Sequence, residues 1–121
     1  MKQIIIILSV LMLISACKAE ADAEINGKKV FMKCVACHSL TKNKVGPSLG
    51  NIFDQKVGSV EEFKYSDAMK NSDIIWNDDT LDNFLKAPRD YIKGTKMRFV
   101  GIKKDSDREA LITYLKENQV K

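Results

Sequence analysis

The chain has 121 residues, 45% of them hydrophobic and 30% charged, with a formal net charge of +4. That length holds one domain and a short appendage, and the composition is that of a folded globular chain rather than a disordered or membrane-spanning one. The modest, scattered positive charge suits an acidic protein partner or an anionic surface, and it lacks the dense basic stripe of a nucleic-acid binder.

The amino terminus is set apart from the rest. After a short basic start, Ile4 to Ala16 is apolar except for Ser9 and Ser15. Such a run falls short of the roughly 20 residues a spanning helix needs and reads as an export signal covering residues 1–16. It ends in Ile14-Ser15-Ala16-Cys17, which is similar to the lipobox of bacterial lipoproteins, where the cysteine becomes the lipidated first residue. An unpaired exported thiol invites oxidation, and acylation would give Cys17 a role. Residues 17–24 are then a lipidated cysteine and a polar tether, and residues 25–121 the domain. The competing reading is ordinary signal cleavage after Ala23.

From Glu24 the chain turns helical in character, with Ile25, Val30 and Phe31 apolar among lysines, and this helix is expected to run into a cysteine pair. Gly27 lies early in it. A helical glycine costs about 1 kcal/mol relative to alanine, so its use there suggests close packing against another helix. Ser39 to Phe63 shows no helical period and is punctuated by Gly46-Pro47, Gly50-Asn51 and Gly58-Ser59. So long an irregular stretch in a small domain implies that a large apolar cofactor completes the core. A short helix is expected over 66–71, capped by Ser66 or Asp67. A second is expected after Asn77 or Asp78, with Leu81, Phe84 and Leu85 on one face and Pro88 ending it. Gly94 to Gly101 reads as a loop. The last helix is the clearest: Ser106 and Glu109 have capping-box spacing, and Leu111, Ile112, Tyr114 and Leu115 form the buried side. No strand alternation is visible, so the expected class is all-α.

Cys34-Val35-Ala36-Cys37-His38 carries the chemistry. Two thiols separated by two residues can each add to one haem vinyl group, and the adjacent imidazole then lies beneath the iron. His38 is the only histidine in the chain. A zinc site would need a fourth ligand, for which only the distant Cys17 remains among cysteines. A redox-active dithiol of thioredoxin type would need alternating strands and helices. Methionine is the usual soft partner on the far side of a histidine-ligated haem. Met1 and Met12 leave with the signal and Met32 is beside the attachment segment, so Met69 and Met97 are the candidates. Met97, in a loop, is the better placed of the two to wrap a flat cofactor.

From Gly27 to its end the chain resembles the class I cytochromes c. Gly27 and Phe31 are similar to the first-helix pair that packs on the last helix, at Leu111 and Tyr114. Gly46-Pro47-Ser48-Leu49 is similar to the segment whose proline carbonyl accepts a hydrogen bond from the axial imidazole. Tyr65 and Trp76 match side chains that bond a buried haem propionate. Tyr91, Ile92 and Gly94 to Ile102, with Thr95, Met97 and Phe99, follow the axial-methionine loop. The resemblance therefore implies few helices and long loops around one covalent haem c, with His38 and Met97 as axial ligands. It departs from the family at Gln55 for an arginine, Met69 for an asparagine, Phe84 for a tyrosine and Lys93 for a proline.

The implied role is a non-enzymatic carrier of single electrons in a respiratory-type chain, exported and held at the outer face of a bacterial membrane, or soluble in the periplasm if not lipidated. Its expected partners are acidic redox proteins such as a quinol–cytochrome c reductase and a terminal oxidase, or a dehydrogenase, met as a monomer through Lys44, Arg89, Lys96, Lys103 and Lys104. Two rivals are a sensor or peroxidase-like enzyme in which Met97 detaches, and a dedicated subunit of a larger oxidoreductase.

Overall fold

A computed structural model describes residues 18, 22 and 26–120. The expected signal at 1–16, the lipidated Cys17 and the alternative cleavage point after Ala23 lie outside the described residues. The helices are α1 (residues 26–31), α2 (Asp67–Lys70), α3 (Asp78–Lys86), α4 (Pro88–Tyr91) and α5 (Asp105–Glu117). The all-α expectation holds; an isolated antiparallel bridge joins Lys56 to Ile75.

α1 and α5 meet through their apolar faces. Val30 and Phe31 are buried on one side, Leu111, Ile112 and Leu115 on the other, and the Phe31 and Tyr114 rings lie 5.2 Å apart. α1 ends at residue 31, and the cysteine pair follows on tight turns rather than on the helix itself.

Ser66 caps α2 by accepting the Met69 N–H at 3.2 Å. Asn77 caps α3 reciprocally: its Oδ1 accepts the Thr80 N–H, and Thr80 Oγ1 accepts the Asn77 N–H, each at 2.9 Å. Leu81, Phe84 and Leu85 are buried as their spacing requires. Pro88 does more than end α3. It occupies the first turn of α4, where its missing N–H has no intrahelical partner to lose.

α5 differs from its expected start. It begins at Asp105 with Lys104 as a cap that makes no side-chain hydrogen bond, so Ser106 already lies inside the helix. The first turn is held instead by Arg108, whose guanidinium reaches Asp105 and the carbonyl oxygens of Ile102 and Lys103. Asp105 and Asp107 also favour the positive end of the helix dipole.

The segment between α1 and α2 is irregular, and its backbone groups pair across long distances in sequence. Asp54 N–H donates to the Trp76 carbonyl, Trp76 N–H to that of Gln55, and Val57 N–H to that of Ile74. Val57 is 1% exposed beneath this clasp.

Candidate cofactor site

The turns after α1 bring the two cysteines and the histidine together. Cys37 N–H and His38 N–H both donate to the Cys34 carbonyl, at 3.1 and 2.8 Å, so three chemically active side chains project from one tight turn. Cys34 is half-buried and Cys37 exposed, and no disulfide joins them. Burial pushes the Cys34 thiol up to about 11, against the opposing pull of Lys33.

His38 is aimed by the loop that follows. Its Nδ1 lies 2.7 Å from the Pro47 carbonyl oxygen. A carbonyl only accepts, so Nδ1 carries the hydrogen and the Nε2 lone pair is left for a ligand. Burial lowers the imidazole pKa; the Pro47 contact opposes this and Lys44 reinforces it. The ring is therefore held as a neutral donor. Gly46 makes the arrangement possible, because a β-carbon there would fall within 2.7 Å of both ring nitrogens. The loop is fastened by Gly46 N–H to the Cys37 carbonyl and Leu49 N–H to that of Ser39, at 2.7 and 2.9 Å.

Met97 is half-buried in the loop after α4. Its N–H donates to Thr95 Oγ1 at 3.3 Å, and Thr95 N–H to the Ile92 carbonyl at 3.1 Å. Gly94 opens this loop at φ +93°. A cleft of about 690 Å³ is lined by Val45, Arg89, Thr95, Lys96, Met97 and Arg98. Val45 adjoins Gly46, so the histidine loop and the methionine loop border one opening. Met69, the other methionine candidate, is buried in the core on α2.

The other expected site residues fall around this core. Tyr65 is buried, its hydroxyl accepts the Val60 N–H at 3.2 Å, and its ring meets Phe63 edge-on at 4.8 Å. Trp76 is buried with its ring 5.1 Å from Phe84. Phe99 is half-buried against the core. Gln55 is exposed and lines a second, polar cleft of about 720 Å³ with Asn43 and Ser48. Of the basic residues, Lys44 donates to the Val35 carbonyl at 2.6 Å and Arg89 to that of Arg98 at 3.0 Å. Lys96, Lys103 and Lys104 are exposed.

Asn43 was not singled out from the sequence. Its Oδ1 accepts the Ser48 N–H and its Nδ2 donates to the Glu61 carbonyl, both at 2.9 Å, stapling the histidine loop to the segment before Tyr65. The Asn43-to-Ser48 spacing carries no motif that would have announced it.

The residues fit a covalently held haem: two thiols on one turn, a neutral imidazole with its far nitrogen free, and a glycine cradle without which the ring would not fit. Comparison with known proteins agrees. The family model described as Cytochrome c matches residues 25–119. The cytochrome c of Stellaria longipes is 46% identical over 102 residues, covering 82% of this chain and 94% of that protein. The cytochrome c2 of Afifella marina is 46% identical over 96 residues, covering 74% and 77%. Among solved structures, cytochrome cH from Methylobacterium extorquens superposes with a TM-score of 0.75 at 37% identity, covering 77% of this chain and 96% of that one.

Proposed function

The chain belongs to the class I cytochrome c family, whose members are mono-haem electron carriers binding one covalent haem c, and from that premise we propose how this one holds its haem and where it works. Cys34 and Cys37 would hold the haem through thioethers, His38 and Met97 would ligate its iron, and Pro47 orients the imidazole. Tyr65 and Trp76 serve the inner propionate, while Thr95 and Phe99 shape the methionine loop and the far wall. The observation that carries this reading is the 2.7 Å contact from His38 Nδ1 to the Pro47 carbonyl at the end of the cysteine turn.

When bound, the haem supplies reversible one-electron chemistry at its iron. The protein's residues do the rest. The Pro47 carbonyl increases the donor strength of His38 by accepting the hydrogen bond from Nδ1–H. Met97 would supply the second side-chain ligand and so deny small substrates an open position. Trp76, Phe84, Met69 and Phe99 keep the pocket apolar.

The carrier is exported, anchored through a lipid on Cys17, and works as a monomer between acidic redox partners at the outer face of a bacterial membrane. The lipobox-like Ile14-Ser15-Ala16-Cys17 supports the anchor; among the described residues no helix is long and apolar enough to cross a membrane. The mass of the intact mature protein tests both assignments. A chain beginning at Cys17 and carrying one haem and acyl groups is the expected result. A haem-bearing, lipid-free chain beginning after Ala23 would leave the electron carrier and remove the anchor, and a mass without haem would remove the site assignment.

A further inference from the structure

The end of α5 reaches back to the histidine loop through one side chain. Gln119 Oε1 accepts the Ile52 N–H at 3.0 Å, and its Nε2 donates to the carbonyl oxygens of Leu49 at 3.0 Å and Leu115 at 2.8 Å. The amide thus uses both its hydrogens and its oxygen, and two of the three bonds span 67 and 70 residues. The next residue continues the clasp: Val120 N–H donates to the Gly50 carbonyl. Gly50 is pressed between Leu40 and Val120, and a β-carbon there would overlap both.

The clasped segment is the one that aims His38. Leu49, whose carbonyl Gln119 holds, also donates its N–H to the Ser39 carbonyl at 2.9 Å. Two residues earlier is Pro47, whose carbonyl receives His38 Nδ1–H. On the other side, Asn43 holds Ser48 N–H. Between Asn43 and Gln119 the stretch 48–52 has its backbone tied at Ser48, Leu49, Gly50 and Ile52. A hydrogen bond to a carbonyl is only as well directed as the peptide that bears it.

We propose that Gln119 is a positioning residue for His38, fixing the Pro47 carbonyl through the Leu49–Ile52 segment and so setting the donor strength of the imidazole. This rests on the reading of His38 as the axial ligand. Without the clasp the Pro47–Ser48 peptide is held by Asn43 alone, so it tilts more readily, the Nδ1–H···O bond weakens, and the imidazole becomes a poorer donor. A poorer donor favours the reduced state, so the reduction potential rises.

The test uses the haem-loaded protein, with Gln119→Ala, Gln119→Glu and, as a stability control that shares no hydrogen bond with the 48–52 segment, Thr80→Ala. Hydrogen exchange of the His38 ring N–H is followed by NMR alongside the potential and the thermal midpoint. Gln119→Ala is expected to speed ring N–H exchange by roughly tenfold and to raise the potential, while Thr80→Ala lowers the midpoint and leaves both unchanged. Gln119→Glu keeps the acceptor for Ile52 and loses the donor to Leu49, so it is expected to behave as Gln119→Ala does. If the Gln119 variants lose only thermal stability, with ring exchange and potential as in the parent, Gln119 is a structural clasp and the proposal is overturned. A parent spectrum without histidine ligation would instead overturn the site assignment, which keeps the two failures apart.

Discussion

The backbone of Gly27 lies directly against Tyr114: a β-carbon at Gly27 would approach the Tyr114 β-carbon to 2.6 Å and overlap the Ala110 carbonyl oxygen. α1 and α5 therefore touch backbone to backbone, and this contact sets the position from which the cysteine turn departs. Gly27→Ala gains helix propensity but overpacks the crossing, with a net cost expected near 2 kcal/mol. The thermal midpoint of the haem-loaded protein should fall by about 10 °C. An unchanged midpoint would mean that the two helices separate without cost.

The two methionine candidates separate by what their loss does. Met97→Ala removes the proposed soft axial donor, so the reduction potential should fall and the reduced protein should bind carbon monoxide. Met69→Ala leaves a cavity in the core, with an expected cost of about 2–3 kcal/mol, and should keep the methionine-ligated spectrum. Carbon monoxide binding by the unaltered protein would support the sensor or peroxidase-like reading instead.

α3 was legible because its signals are local: Asn77 or Asp78 as a cap, an apolar face at helical spacing and a proline just beyond its end. The cysteine–histidine turn was legible for the same reason. α4 was not, since its four residues are too few for a periodicity, and Pro88, which ends α3 as expected, also starts the next helix. The start of α5 was misplaced because Ser106 and Glu109 mimic a capping box, whereas the turn is fixed by Arg108 on Asp105 and the Ile102 and Lys103 carbonyls, a pairing no capping motif announces. Asn43 and Gln119 were invisible for a related reason. Each is a common polar residue whose value lies in partners 18 and about 70 positions away.

Arg108 is 3% exposed, and Asp82 and Asp105 hold its guanidinium from different elements. The partners should not be equivalent. Asp82 is 35% exposed and bonds through both oxygens, at 2.7 and 3.4 Å, whereas Asp105 is 80% exposed. Asp82→Ala leaves a buried charge short of its better partner and should cost about 2–3 kcal/mol. Asp105→Ala should cost less than about 1 kcal/mol, with an effect that fades as salt is raised. Equal losses in denaturant unfolding would contradict this ranking.

Burial raises the Tyr65 pKa above its ordinary 10.0, opposed in part by the Val60 N–H donated to its oxygen. With the folded value above the unfolded one, the unfolded chain releases this proton first as pH rises. Tyr65 therefore contributes fully below pH 10, and the contribution is lost as pH climbs through the folded value. The stability difference between the parent and Tyr65→Phe should be flat up to about pH 10 and shrink above it. Denaturant titrations at several alkaline pH values would show this, and a difference that grows with pH would reverse the sign assigned here.

The cleft bordering Met97 is flanked by Arg89, Lys96 and Arg98, with Val45 exposed at its rim. Arg89 is partly committed to the Arg98 carbonyl and Lys44 to that of Val35. Lys96, Lys103 and Lys104 are exposed and better able to meet an incoming acidic surface. Charges of this kind act on encounter rate more than on the stability of the docked complex. Lys96→Glu should slow electron exchange with an acidic redox partner by about tenfold at low ionic strength, leaving the absorption spectrum and the potential near those of the parent. Near 0.5 M salt the two rates should converge, because the Debye length falls to roughly 4 Å. Stopped-flow rates across a salt series make the comparison, and a deficit that persists at high salt would assign Lys96 to the short-range contact rather than to steering.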